Sequence, residues 1–502
     1  MDRKSGVLMH ISSLPSKYGI GSFGDEAYKF VDFLSEAHQT YWQILPLSQT
    51  GYGDSPYQSV SAFAGNPYFI DLEYLEKEGL LKKEDYVDVD WEFNGRINYG
   101  ALYNKRYPIL RLACRRFIEK GDFKDFEKFE KENEWLEDYA LFQTIKEKLN
   151  YASLIDWPKE YKEKDPEAIS SLKKEYEDTY DFWRVVQYLF TKQWFELKKY
   201  ANSKGIKIIG DCPLYVSSDS CDVFSDPSLF LVDEELVPKK VAGCPPDGFA
   251  ADGQLWGNPI YDWDHHLDTD YAWWVKRLKH LCSIYDYVRI DHFRGLSAYY
   301  TIDYGATTAK DGKWVRGPGK ALVKAIREHV GSNIIAEDLG YMDDDVKDLL
   351  AYSTYPGMGV LEFGFDSRDS NGNDNIPYNL KKNQIAYVGT HDNQTVMGWT
   401  KELSPEALTF CKEYIRYREG DDFNWAMIKE LMATVCDTAI VQAQDLLGLD
   451  ENARMNAPST VGRNWQWMAE DGCFTDGIKE KLKELTHTYG RANCGRGCSK
   501  EY

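Results

Sequence analysis

Eight short apolar runs recur along the whole chain, and they limit its fold more than any other feature. They are Gly6–His10, Tyr41–Leu45, Ile206–Asp211, Tyr287–Asp291, Asn333–Glu337, Gly359–Phe363, Gln384–Val388 and Thr438–Gln442. Several end on a carboxylate or an amide. Runs this short and this continuously apolar fit strands buried on both faces, as in a parallel sheet. Helical patterns separate most of them, at 27–37, 182–202, 271–284, 320–330, 344–352 and 424–435. Strand alternating with helix implies parallel pairing with right-handed crossovers, and eight such units close into a (β/α)8 barrel. In that architecture active residues gather at the C-terminal ends of the strands. A minimal barrel needs only ~250 residues, so a chain of 502 carries large insertions.

The expectation is therefore a single α/β catalytic unit over 1–502. A mainly helical insertion is expected at 74–180, where apolar residues from Phe126 to Phe142 fall at helical spacing. A loop insertion rich in Gly, Pro and Asp is expected at 217–266, and a polar loop at 365–383 that includes Asn371–Asn375.

Composition narrows the function. The formal net charge is −21, and there is no basic stripe of the kind that displaces counterions from phosphates. Nucleic acid is excluded as a partner on this reading, and the same charge disfavours an anionic lipid surface. No run of 18 apolar residues is present, so no membrane span is expected, and the first residues do not read as a secretory leader. The ten cysteines are scattered, which fits reduced thiols in a cytoplasmic protein. Cys494 and Cys498 lack the second ligand pair that a zinc site needs. Aromatic residues make up 15% of the chain. Flat apolar rings with polar edges suit sugar faces, although core packing accounts for most of them.

Four acids stand at or just past the ends of expected strands: Asp211, Asp291, Glu337 and Asp392. Converging carboxylates repel one another, so folding alone does not ask for them. Two chemistries compete. Paired carboxylates can cleave a glycosidic bond, one attacking the anomeric carbon and the other protonating the leaving oxygen. Alternatively, Asp291-His292 and His391-Asp392 could ligate a divalent ion. Adjacent residues on a strand point to opposite faces, which weakens the metal reading. Arg289 lies two residues before Asp291, on the same face, and a guanidinium there keeps a carboxylate ionised and oriented. The balance favours glycoside chemistry with no metal and no cofactor. The loops Gly51–Tyr57 and Gly253–Pro259 place Tyr57 and Trp256 on Gly/Pro-fixed turns. His292 reads as a packed, hydrogen-bonded histidine, and Asp338 and Glu362 as structural charges.

The chain resembles a known family through several segments. Arg289-Ile-Asp-His-Phe-Arg-Gly295, Ile335-Ala-Glu-Asp-Leu-Gly340 and Gly389-Thr-His-Asp-Asn393 are similar to the nucleophile, acid/base and third-carboxylate motifs of the 4-α-glucanotransferases (amylomaltases, or disproportionating enzymes) of the α-amylase clan. Ile209–Val216, Thr50–Gln58, Ser61–Pro67, Pro245–Pro259, Arg454–Pro458 and Asn464-Trp465 follow the family's order along the chain. Gln394 departs from it, standing where an acid is frequent. The resemblance implies Asp291 as nucleophile, Glu337 as general acid and then base, and Asp392 as stabiliser of the transition state. It implies Tyr57, Ser55, Asp211, Trp256, Arg289, His391 and Asn464 as substrate-binding residues. Tyr99 resembles a family aromatic that contacts glucan outside the main cleft. Glu337 must hold a proton at rest, which burial or neighbouring negative charge would favour.

The implied substrates are malto-oligosaccharides and glucans derived from starch or glycogen, with glucose as an acceptor. Transfer requires a sugar hydroxyl to outcompete ~55 M water, an advantage that positioning can supply. A hydrolase of the same clan, a metal-dependent barrel hydrolase and a non-catalytic maltodextrin-binding protein are the alternatives.

Overall fold

The computed structural model describes residues 3–51, 53–246, 252–368 and 372–492. Cys494 and Cys498, part of the Pro245–Pro259 segment and Asn371 lie outside the described residues.

Eight parallel strands form one sheet: β1 Lys4–Leu8, β2 Tyr41–Gln43, β3 Lys207–Cys212, β4 Tyr287–Ile290, β5 Ile334–Ala336, β6 Gly357–Val360, β7 Gln384–Tyr387 and β8 Thr438–Gln442. Their spatial order is β6-β7-β8-β1-β2-β3-β4-β5. β1 pairs with both β2 and β8, so the sheet curls on itself. At the seam between β5 and β6 the Ala336 N–H donates to the Pro356 carbonyl at 2.9 Å. The Met358 N–H donates to the Asp338 carboxylate at 2.6 Å. Asp338 is thus a structural charge that helps to close the (β/α)8 barrel.

All eight expected strands are present, most shifted by one or two residues. The exception is 359–363: the strand ends at Val360, and Leu361–Phe365 turns into a short helix. A continuous apolar run does not reveal where such a change occurs.

Register explains the interior. Asp211 pairs with Arg289, and Arg289 with Ile335. Side chains two residues apart share a face, so Asp291 and Glu337 follow Arg289 and Ile335 inward. Beneath them Leu8, Ile209, Ile335, Met358, Val360, Ile385, Tyr387 and Ile440 fill the barrel. The Tyr387 hydroxyl donates to Gln43 at 2.8 Å, beginning a polar layer above the apolar one. Gly210 is required where it stands, because an added Cβ would lie 2.2 Å from the Tyr285 ring packed against β3.

Between β2 and β3 the chain forms the helices Tyr99–Lys120, Lys124–Glu132, Trp135–Lys148, Pro166–Glu175 and Glu177–Ser203. Asn98 caps the first by accepting from the Ala101 N–H, the usual role of a residue preceding a helix. A second, antiparallel sheet orders Gln254–Pro259, Lys240–Cys244, Ala298–Asp303 and Lys313–Arg316. Trp256, expected on a turn, sits on its edge strand.

Candidate active site

The site is assembled at the C-terminal mouth of the barrel. β4 places Arg289 inside, 3% exposed. Its guanidinium bridges two carboxylates, with Nη1 2.5 Å from Asp211 Oδ2 and Nη2 3.1 Å from Asp291 Oδ1. Burial raises the pKa of both acids, opposed by the Arg289 charge. The same carboxylates hold the guanidinium firmly charged. A buried charge is tolerated only when paired, and here one cation serves two anions.

Glu337 follows β5. Ile290 and Ala336 are register partners, so Asp291 and Glu337 are the next residues on adjacent strands. The Glu337 N–H donates to the Ile290 carbonyl at 3.0 Å. Glu337 is 9% exposed, and its carboxyl accepts from the backbone N–H of His292 at 2.6 Å and of Leu339 at 2.9 Å. Burial pushes its pKa up to about 8, Asp291 adds to the rise, and Arg289 opposes it. One carboxyl of the adjacent pair is therefore held protonated near neutral pH while the other sits against a guanidinium.

The third acid arrives from the loop after β7. Asp392 accepts from Asn456 Nδ2 at 2.6 Å, and its backbone carbonyl accepts from Arg454 at 2.8 Å. His391 Nε2 lies 3.4 Å from its other oxygen. Burial depresses the His391 pKa, and the Tyr57 ring stacks on the imidazole at 5.3 Å and 10°. Tyr57 also donates to Asp211 Oδ2 at 2.7 Å. The other Asp211 oxygen is buried with no hydrogen-bond partner.

Trp256 meets His292 edge-on at 4.9 Å. Gln58 fastens the Tyr57 loop to the Trp256 strand, donating to the Trp256 carbonyl at 3.2 Å and to Asn258 at 3.1 Å. His292 has left-handed backbone, φ 49°, which lets its N–H turn toward Glu337. The ring is packed as expected, but Nε2 has no hydrogen-bond partner, contrary to the sequence reading. Glu362 is buried at 2% exposure with one oxygen unbonded, and burial and Asp445 hold its pKa high.

The structure brings Asp211, Arg289, Asp291, Glu337, His391, Asp392, Tyr57 and Trp256 to this mouth. Three further expected residues make hydrogen bonds within the surrounding loops. Ser55 Oγ accepts from the Tyr57 N–H at 3.2 Å and so shapes the loop. Asn464 spends its side chain on its own loop, accepting from Ala457 N at 3.0 Å and donating to the Thr460 carbonyl at 2.9 Å. Tyr99 donates to the Trp465 carbonyl at 2.8 Å. Two residues were not singled out from sequence: Asn456, which clamps Asp392, and Trp465, whose ring lies 5.7 Å from Tyr57 and 6.1 Å from His391. Both belong to segments that carry the resemblance, but their reach depends on a return across the mouth that local pattern does not encode. Among the described residues, no group of three His, Cys, Asp or Glu side chains is arranged to hold a metal ion.

A protonated glutamate beside an arginine-held aspartate is equipped for acid-assisted displacement at an acetal carbon, which is the chemistry of barrel enzymes acting on glycosidic bonds. Comparison with known proteins agrees. Residues 9–472 match the family model described as 4-alpha-glucanotransferase, and the chain belongs to that family. A 4-alpha-glucanotransferase of Clostridium butyricum is 48% identical over 488 residues, covering 96% of this chain and all of the relative. One from Streptococcus pneumoniae is 46% identical over 496 residues, 98% of each chain. The amylomaltase from Streptococcus agalactiae in complex with acarbose superposes with a TM-score of 0.96 at 44% identity, over 98% of this chain and 100% of that one.

Proposed function

We propose that the protein transfers α-1,4-glucan segments from a donor malto-oligosaccharide to the 4-hydroxyl of an acceptor glucan or glucose, and that Asp291, Glu337 and Asp392 carry the chemistry. The observation that bears most weight is the placement of Asp291 and Glu337 one residue beyond paired positions of adjacent strands, with Arg289 joining Asp291 to Asp211.

In the first half-reaction the Asp291 carboxylate attacks the anomeric carbon. The bond to the leaving glucan's O4 breaks, and Glu337 delivers its proton to that oxygen. In the second, Glu337 takes the proton from the acceptor's 4-hydroxyl as that oxygen attacks the same carbon and releases Asp291. Two inversions give net retention. Asp392, held by Asn456, is placed to grip ring hydroxyls. The unbonded oxygen of Asp211 supports a sugar-binding role, because a buried acceptor left unpaired is costly and a hydroxyl can satisfy it. Tyr57 and Trp256 line the walls that would exclude water from the intermediate.

The buried free thiols of Cys212 and Cys436 fit a cytoplasmic setting. Among the described residues, no helix is long and apolar enough to cross a membrane.

The test is an intact-mass measurement after trapping with a fluorinated glucosyl donor. Wild type gains one glycosyl mass on Asp291, and Asp291→Asn gains none and loses several orders of magnitude in kcat. With maltotriose, longer oligosaccharides and glucose accumulate while reducing ends stay nearly constant. A steady rise in reducing ends would identify a hydrolase instead.

A further inference from the structure

None of the residues at the catalytic mouth lines a cavity of about 590 Å³ between the helical insertion and the barrel, a size within the ~300–1,000 Å³ typical of ligand pockets. It is bounded by residues of the helices Lys124–Glu132, Trp135–Lys148, Glu177–Ser203 and Ala272–Ile284, and by the segment 62–65. Phe63, Phe129, Trp135, Phe190, Trp194 and Phe195 all line it. Phe63 and Trp135 stack at 6.3 Å and 17°, and Phe195 is 40% exposed. Such walls favour an occupant with a flat apolar face.

Most polar groups of the walls are already committed. Gln187 accepts from the Gly65 N–H and donates to the Gly65 carbonyl, both at 2.8 Å. Asn133 donates to the Phe129 carbonyl at 2.8 Å and accepts from Trp135 Nε1 at 3.0 Å. Trp194 Nε1 donates to the Ile284 carbonyl at 3.0 Å, and the Leu47 N–H donates to the Tyr285 hydroxyl at 3.2 Å. Burial keeps His280 neutral, with its pKa lowered to about 4, and its Nε2 lies 3.0 Å from the Phe63 carbonyl. A polyhydroxyl ligand, a sugar included, would give up its hydrogen bonds to water here and find few replacements.

The charges add a second requirement. Lys131, Lys276 and Lys279 line the cavity together with Glu132 and Glu134. Glu134 is paired with Lys276 at 3.1 Å, and Glu132 lies 3.8 Å from Lys128. Lys131 and Lys279 come from different helices, and among the described residues neither makes an ion pair or a side-chain hydrogen bond. On a chain of net charge −21, two uncommitted ammoniums at one aromatic cavity select an anion, and lysine serves as a point-charge partner of phosphate. A flat apolar ring that carries a phosphate meets both requirements. We propose that this cavity binds a nucleoside phosphate, with the base against the Trp135 and Phe195 rings and the phosphate on Lys131 and Lys279.

The test is isothermal titration calorimetry of wild type with AMP, adenosine and inorganic phosphate, repeated on Phe195→Ala and on the double variant Lys131→Glu/Lys279→Glu. All three side chains are exposed, so both variants should melt as wild type does. Wild type should bind one AMP per chain, at least tenfold more tightly than adenosine or phosphate alone. Phe195→Ala should weaken AMP binding about three- to tenfold, and the double charge reversal should weaken it at least tenfold. The absence of saturable AMP binding to wild type would overturn the proposal. AMP binding that is unchanged in the double variant would also overturn it, by placing the nucleotide at another site. So would adenosine binding as tightly as AMP, which would leave the lysines no role, or inorganic phosphate doing so, which would leave the rings none.

Discussion

Replacing Glu337 by Gln should abolish transfer and at the same time stabilise the fold at alkaline pH. The carboxyl is buried beside Asp291 and its pKa is pushed from the ordinary 4.5 up to about 8. Between those values the folded state keeps a proton that the unfolded state has released, so stability falls as pH rises through this window. At 1.36 kcal/mol per pH unit the full displacement amounts to about 5 kcal/mol, most of which is lost between pH 5 and pH 8. The amide does not titrate, and the one backbone N–H bond that its NH2 end cannot accept is a loss independent of pH. The unfolding entropy of 502 residues, at about 2.1 cal/mol/K each, is about 1 kcal/mol/K. The melting midpoint of Glu337→Gln should therefore gain a few degrees on wild type between pH 5 and pH 8. Differential scanning fluorimetry of the two proteins side by side cancels every other titrating group. A midpoint difference that stays flat across that range would refute the reasoning. In wild type, the rate should fall as pH rises through about 8, as the acid needed for the leaving group is lost.

Arg289→Ala would leave the buried Asp211 without its cation, and urea unfolding should show a loss of about 3–5 kcal/mol. Arg289→Lys should recover part of the stability but little activity, since an ammonium cannot fork to two carboxylates. Asn456→Ala removes the 2.6 Å bond to Asp392; about 1–1.5 kcal/mol of transition-state stabilisation, or roughly tenfold in kcat, should go with almost no change in melting temperature. Exhaustive chelation should leave the disproportionation rate intact, and a loss restored by a divalent ion would return the metal-hydrolase reading.

Much of the barrel could be read from sequence because each buried strand must be a continuous apolar run, and Thr438–Gln442 was located to the residue. The acids at the strand ends were legible for the same reason: Asp211, Asp291 and Glu337 interrupt patterns that are otherwise apolar. The second sheet was not legible. Lys240–Cys244 pairs with Ala298–Asp303 across β4, and its partner strand Lys313–Arg316 is exposed throughout, so neither carries a buried alternation. Asn464 shows the limit at the level of a single side chain. Its motif is in place, yet its amide is spent on Ala457 and Thr460, while Asn456 reaches Asp392. That Asn456 is the asparagine bonded to Asp392 depends on how the loop returns, and that is a tertiary outcome.

The pairing of Lys4 with Thr438 and the arrival of Asn456 and Trp465 at the mouth have a consequence for biosynthesis. Of the eight barrel strands, β1 leaves the ribosome before the others and must wait for β8 before the ring can be completed. The aspartate after β7 remains without its clamp until later residues still have emerged. A nascent or prematurely terminated chain ending before residue 456 therefore carries all three acids yet lacks a finished site, and activity switches on only once the segment through Trp465 has emerged.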